Sequence, residues 1–274
     1  GDGTVTFVLE APNKTDVFLI SGFNSWTLDA AYQMKKDGDM FWATVSGLDA
    51  NTEYAYQYYI DYSIKVADPY SHKVLDPNND QYIPASTYPS LMAYPTGETT
   101  GIVSTFKINE SNYTWQNTSF TKPNKDNVII YEMLIRDFTA SGTFQEAITR
   151  LDYLQNLGVT AIELMPVNEF EGNNSWGYNP SFYMALDKAY GTNNDLKEFV
   201  DECHERGIAV ISDVVFNHSY SQSPLLQMYW DSTNNRPASD SPYYNEGHNL
   251  VDNTSAHWGY DFNHESIRAI HDSC

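Results

Sequence analysis

Residues 207–220 read GIAVISDVVFNHSY. An apolar run opens after Gly207 and is interrupted by Asp213. Val214, Val215 and Phe216 follow, and the stretch closes on Asn217 and His218. The length and β-branched content are those of a buried strand. The segment before it, NNDLKEFVDECHERG (193–207), has Leu196, Phe199, Val200 and Cys203 at helical spacing, with Gly207 as its stop. A helix therefore feeds a buried strand that ends in an acid, an amide and an imidazole.

The same alternation extends upstream. VTAIELM (159–165) reads as a strand closed by Pro166. Before it, Phe144, Ala147, Ile148, Leu151, Leu154 and Leu157 predict one helix ending at Gly158. NVIIYEMLI (127–135) reads as another buried strand. Strands alternating with helices predict right-handed βαβ units and a parallel sheet, whose functional groups gather at the C-terminal strand ends. The three strand ends carry Arg136 and Asp137; then NEFEGNNSWGYNP (168–180) with Trp176, Tyr178 and Asn179; then Asp213, Asn217 and His218.

Residues 1–108 read differently. TVTFVLEAP, DVFLISGF, MFWATVSGL and TEYAYQYYID are short strands divided by turns, with Asp37-Gly38 a strong turn signal. Tyr54, Tyr56 and Tyr58 share one strand face. This is an all-β sandwich pattern, immunoglobulin-like in type. Residues 109–127 are rich in Asn, Ser and Thr and read as a linker or surface loop, leaving 128–274 as the α/β part.

The 36 acidic and 15 basic residues give a net charge of −21, which opposes nucleic acid and anionic membranes as partners. No apolar run approaches the ~18–20 residues that span a bilayer. Cys203 and Cys274 lack metal or redox spacing. The 21 tyrosines suit wet, flat ligands such as sugars, although Tyr-rich β domains are also common without one. On residue chemistry alone, His218 offers a hydrogen bond to a hydroxyl, Trp176 or Tyr178 a ring to a sugar face, and Asn217 an oxygen to Ca²⁺. Each has an ordinary structural alternative: a rim-packing Trp, a turn-capping Asp213, a satisfied buried His218.

DVVFNH (213–218) resembles the first signature region of the α-amylase family, retaining α-glucan hydrolases and transglycosidases built on (β/α)₈ barrels. VIIYEMLIRDF (128–138), GVTAIELMPV (158–167) and the run from Trp176 to His218 resemble that family's first three strands and their loops, so the likeness is continuous over about 120–264. GFNSW (22–26), DGDMFW, VSGL and DPYS (68–71) resemble the sandwich module of branching, debranching and trehalose-releasing members. The resemblance implies that Tyr178 stacks on the sugar at the cleavage site, His218 binds its hydroxyls and Asp213 supports the site. It implies Asn217 as a calcium ligand in calcium-binding members, and Trp26, with Trp42 second, as glycan contacts of the module.

Retaining hydrolysis needs two carboxyl groups about 5–5.5 Å apart. The family carries them after its fourth and fifth strands, and no G-F-R-x-D nucleophile region occurs here. Residues 219–264 resemble the excursion after the third strand, and IRAIHDSC the start of the next helix. A full barrel takes ~250 residues, so the expectation is a partial barrel whose reacting acids lie beyond Cys274 and a chain inactive alone. Glu163, Glu169, Glu171 and Asp137 are present, but nothing in the sequence pairs them. An open sheet edge implies association with the missing part or with itself. The function expected is amylase-type hydrolysis of an α-1,4-glucan, with a lean toward an extracytoplasmic location and no cofactor required beyond the optional Ca²⁺. The alternatives are branching or debranching, or a non-catalytic carbohydrate-binding scaffold.

Overall fold

The computed structural model describes residues 3–248 and 254–265. Cys274 and the expected helix start IRAIHDSC lie outside the described residues. The N-terminal region contains β1 (Val5–Glu10), β2 (Val17–Ser21), β3 (Lys35–Asp37), β4 (Met40–Val45), β5 (Glu53–Ile60), β6 (Ile64–Val66), β7 (Val74–Leu75) and β8 (Val103–Lys107). They pair antiparallel as a three-stranded sheet, β1-β4-β3, and a five-stranded sheet, β2-β5-β8-β7, with β6 paired to β5. Phe7, Leu9 and Phe41 from the first sheet share one buried cluster with Leu19, Tyr56, Tyr58 and Ile60 from the second.

Tyr54, Tyr56 and Tyr58 do face that cluster, but β5 is buried on its other side as well. There Ala55, Leu75 and Val103 are covered by Leu91, Met92 and Tyr94, and the buried Gln57 donates to the carbonyls of Thr100 and Ile102. The DPYS motif acquires a structural role. Tyr56 and Tyr58 both donate to Asp68 Oδ2 at 2.9 Å, and Asp68 N–H donates to Ser104 Oγ at 2.8 Å. Burial pushes the Asp68 carboxyl up against these bonds.

The α/β part begins with β9 (Ile130–Met133) and α1 (Ile135–Phe138). Then come α2 (Phe144–Ile148), α3 (Leu151–Asn156), β10 (Ala161–Leu164), β11 (Asn168–Phe170), β12 (Pro180–Leu186), α4 (Asn193–Glu205) and β13 (Ala209–Ser212). β9, β10 and β13 form a parallel sheet with β10 in the centre, and Met133, Leu164 and Ser212 end in register. Val159, Ile162 and Leu164 pack under Phe144, Leu151, Leu154 and Phe199 from the helices.

Both expected helix stops hold. At Gly158 and Gly207, each at positive φ, the next amide returns to the helix: Val159 N–H to Leu154 O and Ile208 N–H to Cys203 O. Thr192 and Asp195 form a capping box on α4. The expected single helix over 144–157 is instead two. Thr149 Oγ1 donates to Glu146 O at 2.7 Å, a local bond that competes with helix continuation, and α3 restarts after Arg150.

Residues 109–127, read as a linker, dock on α4. Buried Asp201 accepts from Tyr113 Oη at 2.9 Å and from the amides of Gln116 and Asn117 at 2.6 and 2.8 Å. Phe120 stacks on His204 with ring centroids 3.9 Å apart. The excursion carries β14 (His218–Ser219), α5 (Pro224–Gln227), β15 (Trp230–Asp231), β16 (Arg236–Pro237) and β17 (Tyr260–Asp261). Its apolar residues Leu226, Met228, Tyr229, Tyr243 and Tyr244 join the N-terminal core cluster, and Tyr229 Oη donates to Pro12 O at 2.6 Å. Among the described residues β9 and β13 each have one partner strand, and Ile129, Ile130, Ile211, Val214 and Phe216 are exposed along them. The expected buried character of VIIYEMLI thus fails at its start, because β9 is an edge strand.

Candidate active site

The site forms where β13 ends. Asp213 N–H still donates to Leu164 O at 2.9 Å, so the parallel ladder holds the backbone of Asp213 one residue past β13. The loop between β11 and β12 brings Tyr178 to it. Tyr178 Oη donates to Asp213 Oδ2 at 2.7 Å. Burial, this bond and the fields of Asp213, Glu132 and Glu163 push the Tyr178 phenol up to about 12. Glu132 and Glu163 are register partners on β9 and β10, so an acidic strip lies beside Tyr178. Sequence reading passed over Glu132; its register with Glu163 is the signal that identifies it.

Gly177 makes the loop possible. Its φ is +93°, and a Cβ there would sit 2.1 Å from Pro166 O and 2.9 Å from Pro166 C. Backbone cannot yield as a side chain does, so only glycine fits where the loop crosses the end of the second strand. Gly177 N–H donates to Ser175 Oγ at 2.9 Å, Ser175 bonds Asn179, and Asn179 Nδ2 donates to Glu171 O at 3.1 Å. The loop is thus closed on itself, with Trp176 on its outside, 63% exposed.

His218 is 5% exposed and both ring nitrogens are engaged. Nε2 lies 2.9 Å from Tyr178 O, a pure acceptor, so Nε2 carries the hydrogen. Nδ1 then accepts from Asn217 Nδ2 at 2.6 Å. The His218 carbonyl accepts from Tyr183 Oη at 2.6 Å. In this arrangement His218 ties the Tyr178 loop to the β13 end, and it meets a sugar hydroxyl only by exchanging one of these bonds. Tyr183, on β12, is a second residue that sequence reading passed over; its long-range partner left no local signal.

Tyr178, Asp213, His218 and Asn217 therefore come together, with Trp176 beside them on the same loop. Trp26 and Trp42 stand apart from this site and from each other. Trp26 is half-buried against the outer side of the five-stranded sheet, among Leu91, Met92 and Tyr94. Trp42 lies on the three-stranded sheet with Lys35 Nζ 4.7 Å over its ring. Among the described residues no three His, Cys, Asp or Glu side chains group as a metal site. Asn217 engages His218 Nδ1 through its side chain and accepts from Phe262 N–H at its carbonyl. Among the described residues no helix is long and apolar enough to cross a membrane.

Three parallel strands with helices between them, polar groups at their C-terminal ends and an aromatic loop beside them define an α/β protein with its candidate site on one rim of the sheet. The profile of the α-amylase catalytic domain matches residues 115–267, and the chain belongs to the α-amylase family. It is 36% identical over 156 residues to a malto-oligosyltrehalose trehalohydrolase of Saccharolobus solfataricus, covering 57% of this chain and 26% of that protein. It is 28% identical over 226 residues to the 1,4-alpha-glucan branching enzyme GlgB of Pseudoalteromonas atlantica, covering 77% and 28%. A crystal structure from Salmonella typhimurium assigned as an alpha amylase superposes with a TM-score of 0.70 at 27% identity, over 98% of this chain and 38% of that one. The chain thus spans roughly a quarter of the length of these curated relatives.

Proposed function

We propose that this chain is the substrate-positioning front of an enzyme that cleaves α-1,4-glucans by retaining hydrolysis. The observation that carries the reading is the Tyr178–Asp213 hydrogen bond at the end of β13. It fixes an aromatic ring over a strand end inside the segment matched to the catalytic domain. The N-terminal region serves as an immunoglobulin-like β-sandwich that braces the barrel, since the excursion packs into its core. Residues 128–265 contribute the first three barrel strands and the excursion.

The neutral, hydroxyl-rich glucan suits a chain of net charge −21. Trp176 and Tyr178 offer rings to sugar faces, and His218 fixes the loop that carries Tyr178. The two reacting carboxyl groups come from the part of the longer relatives that this chain does not span. Incubation of the purified chain with a chromogenic malto-oligosaccharide tests this: binding without turnover is expected, and clear turnover overturns the assignment of the reacting acids. Branching is the second reading, favoured by the likeness to GlgB. Transfer products formed by the longer enzyme from amylose would decide for it.

A further inference from the structure

The loop bearing Trp176 and Tyr178 runs from β11 to β12, and the N-terminal region reaches both of its ends. Lys188, just beyond β12, is 2% exposed. Its Nζ lies 2.5 Å from Glu169 Oε1 on β11 and 3.3 Å from Asp80 Oδ1 of the N-terminal region. Asp187, equally buried, stands beside it and accepts from the amides of Ala189 and Phe170. The loop itself is tied to the same segment, with Asn173 Nδ2 donating to Asn79 O at 2.7 Å. Gln222, whose amide holds Glu171, reaches Asp76 Oδ2 at 3.2 Å.

We propose that the 76–80 segment of the N-terminal region positions the substrate loop through a proton-dependent pin made by Asp80, Lys188 and Glu169. The name substrate loop rests on the glucan reading above; the pin itself rests on the contacts. Three carboxylates around one ammonium leave two unbalanced charges if all are ionised, and unbalanced buried charge is strongly disfavoured. Glu169 Oε2 is also buried with no hydrogen-bond partner among the described residues. The cluster therefore retains a proton.

Burial pushes the Glu169 carboxyl up to about 8; Lys188 pulls it down, while Asp187 and Asp80 raise it further. Asp187 is raised for the same reason. Asp76 faces Asp80 from within the segment. The phenols of Tyr88 and Tyr190, pushed up by burial, keep their protons throughout this range. If the pin opens, water reaches Glu169 and its ordinary value of 4.5 applies. Between that value and the raised one, the open state has lost a proton that the pinned state keeps. Rising pH therefore favours opening by up to about tenfold per unit for each retained proton, and the dependence ends above the raised value.

Amide hydrogen exchange of the whole chain tests this, with peptides covering 171–180 compared with α4 as an internal reference. Between pH 6 and 8 the loop should gain up to about tenfold per unit over α4 for each retained proton. Glu169→Gln, which keeps an acceptor for Lys188, should remove about one decade per unit of that excess. Asn173→Ala should speed loop exchange at every pH without changing the slope. A wild-type loop that tracks α4 across the range, or a Glu169→Gln slope equal to wild type, overturns the pin. Neither readout involves sugar, so a chain that passes here yet ignores malto-oligosaccharides would sink the glucan reading and leave the pin standing.

Discussion

Replacing Gly177 by alanine is the sharpest single perturbation of the site. The added Cβ would lie 2.1 Å from Pro166 O, so the loop must retreat by about 1.3 Å or more for ordinary contact. A side chain at φ +93° costs about 1–2 kcal/mol by itself. Retreat also stretches the Tyr178–Asp213 bond, worth about 1.5–3 kcal/mol to a charged acceptor, and the His218–Tyr178 bond, worth about 1 kcal/mol. The sum is about 3.5–6 kcal/mol, or a fall in Tm of roughly 6–10 °C in a chain of this size. Gly158→Ala supplies the control. Gly158 has φ +88° but no atom within 4 Å of its ideal Cβ, so only the conformational cost of about 1–2 kcal/mol applies. Thermal unfolding of both variants separates strain from collision. A Gly177→Ala chain no less stable than Gly158→Ala would refute the claim that Pro166 sets the loop's path.

Further outcomes follow from the same contacts. Asp201→Ala removes the acceptor of three bonds that hold residues 113–117 on α4; limited proteolysis should move to 109–127, with a loss of about 2–4 kcal/mol in urea unfolding. Ile211→Lys places a charge on the exposed edge of β13 and should reduce self-association of the chain in sedimentation velocity. An unchanged association state would move the contact elsewhere. Trp176→Ala should weaken malto-oligosaccharide binding by about 1 kcal/mol, roughly fivefold in Kd, without changing Tm, because the ring is exposed.

What the sequence made legible was local. Gly158 and Gly207 announced helix ends because a Schellman turn requires a positive φ at that position. Asp213, Tyr178 and His218 were readable as a group because parallel strands deliver their C-terminal ends to one rim. The break at Thr149 was hidden, since a single hydroxyl bond to Glu146 overrode an unbroken apolar period. The docking of 109–127 was hidden as well: its polarity resembles a free linker, and its partner Asp201 lies 85 residues beyond Gln116. Likewise nothing near Tyr229 indicates that it caps Pro12, so the excursion read as part of the barrel although its aromatics complete the N-terminal core. Trp26 and Trp42, expected as separate glycan contacts of the module, lie on different sheets, a consequence of strand pairing that alternation alone does not fix.

The pin between Asp80, Lys188 and Glu169 belongs to the same class. Each residue reads as an ordinary surface charge, and only the packing of β11 and β12 against the 76–80 segment buries them together.

The most direct measurement is isothermal titration of the purified chain with maltoheptaose, run beside Tyr178→Ala. A wild-type chain that binds and a Tyr178→Ala chain whose affinity falls at least tenfold would support the strand-end cluster as the glucan site. Equal affinity of the two proteins would contradict it.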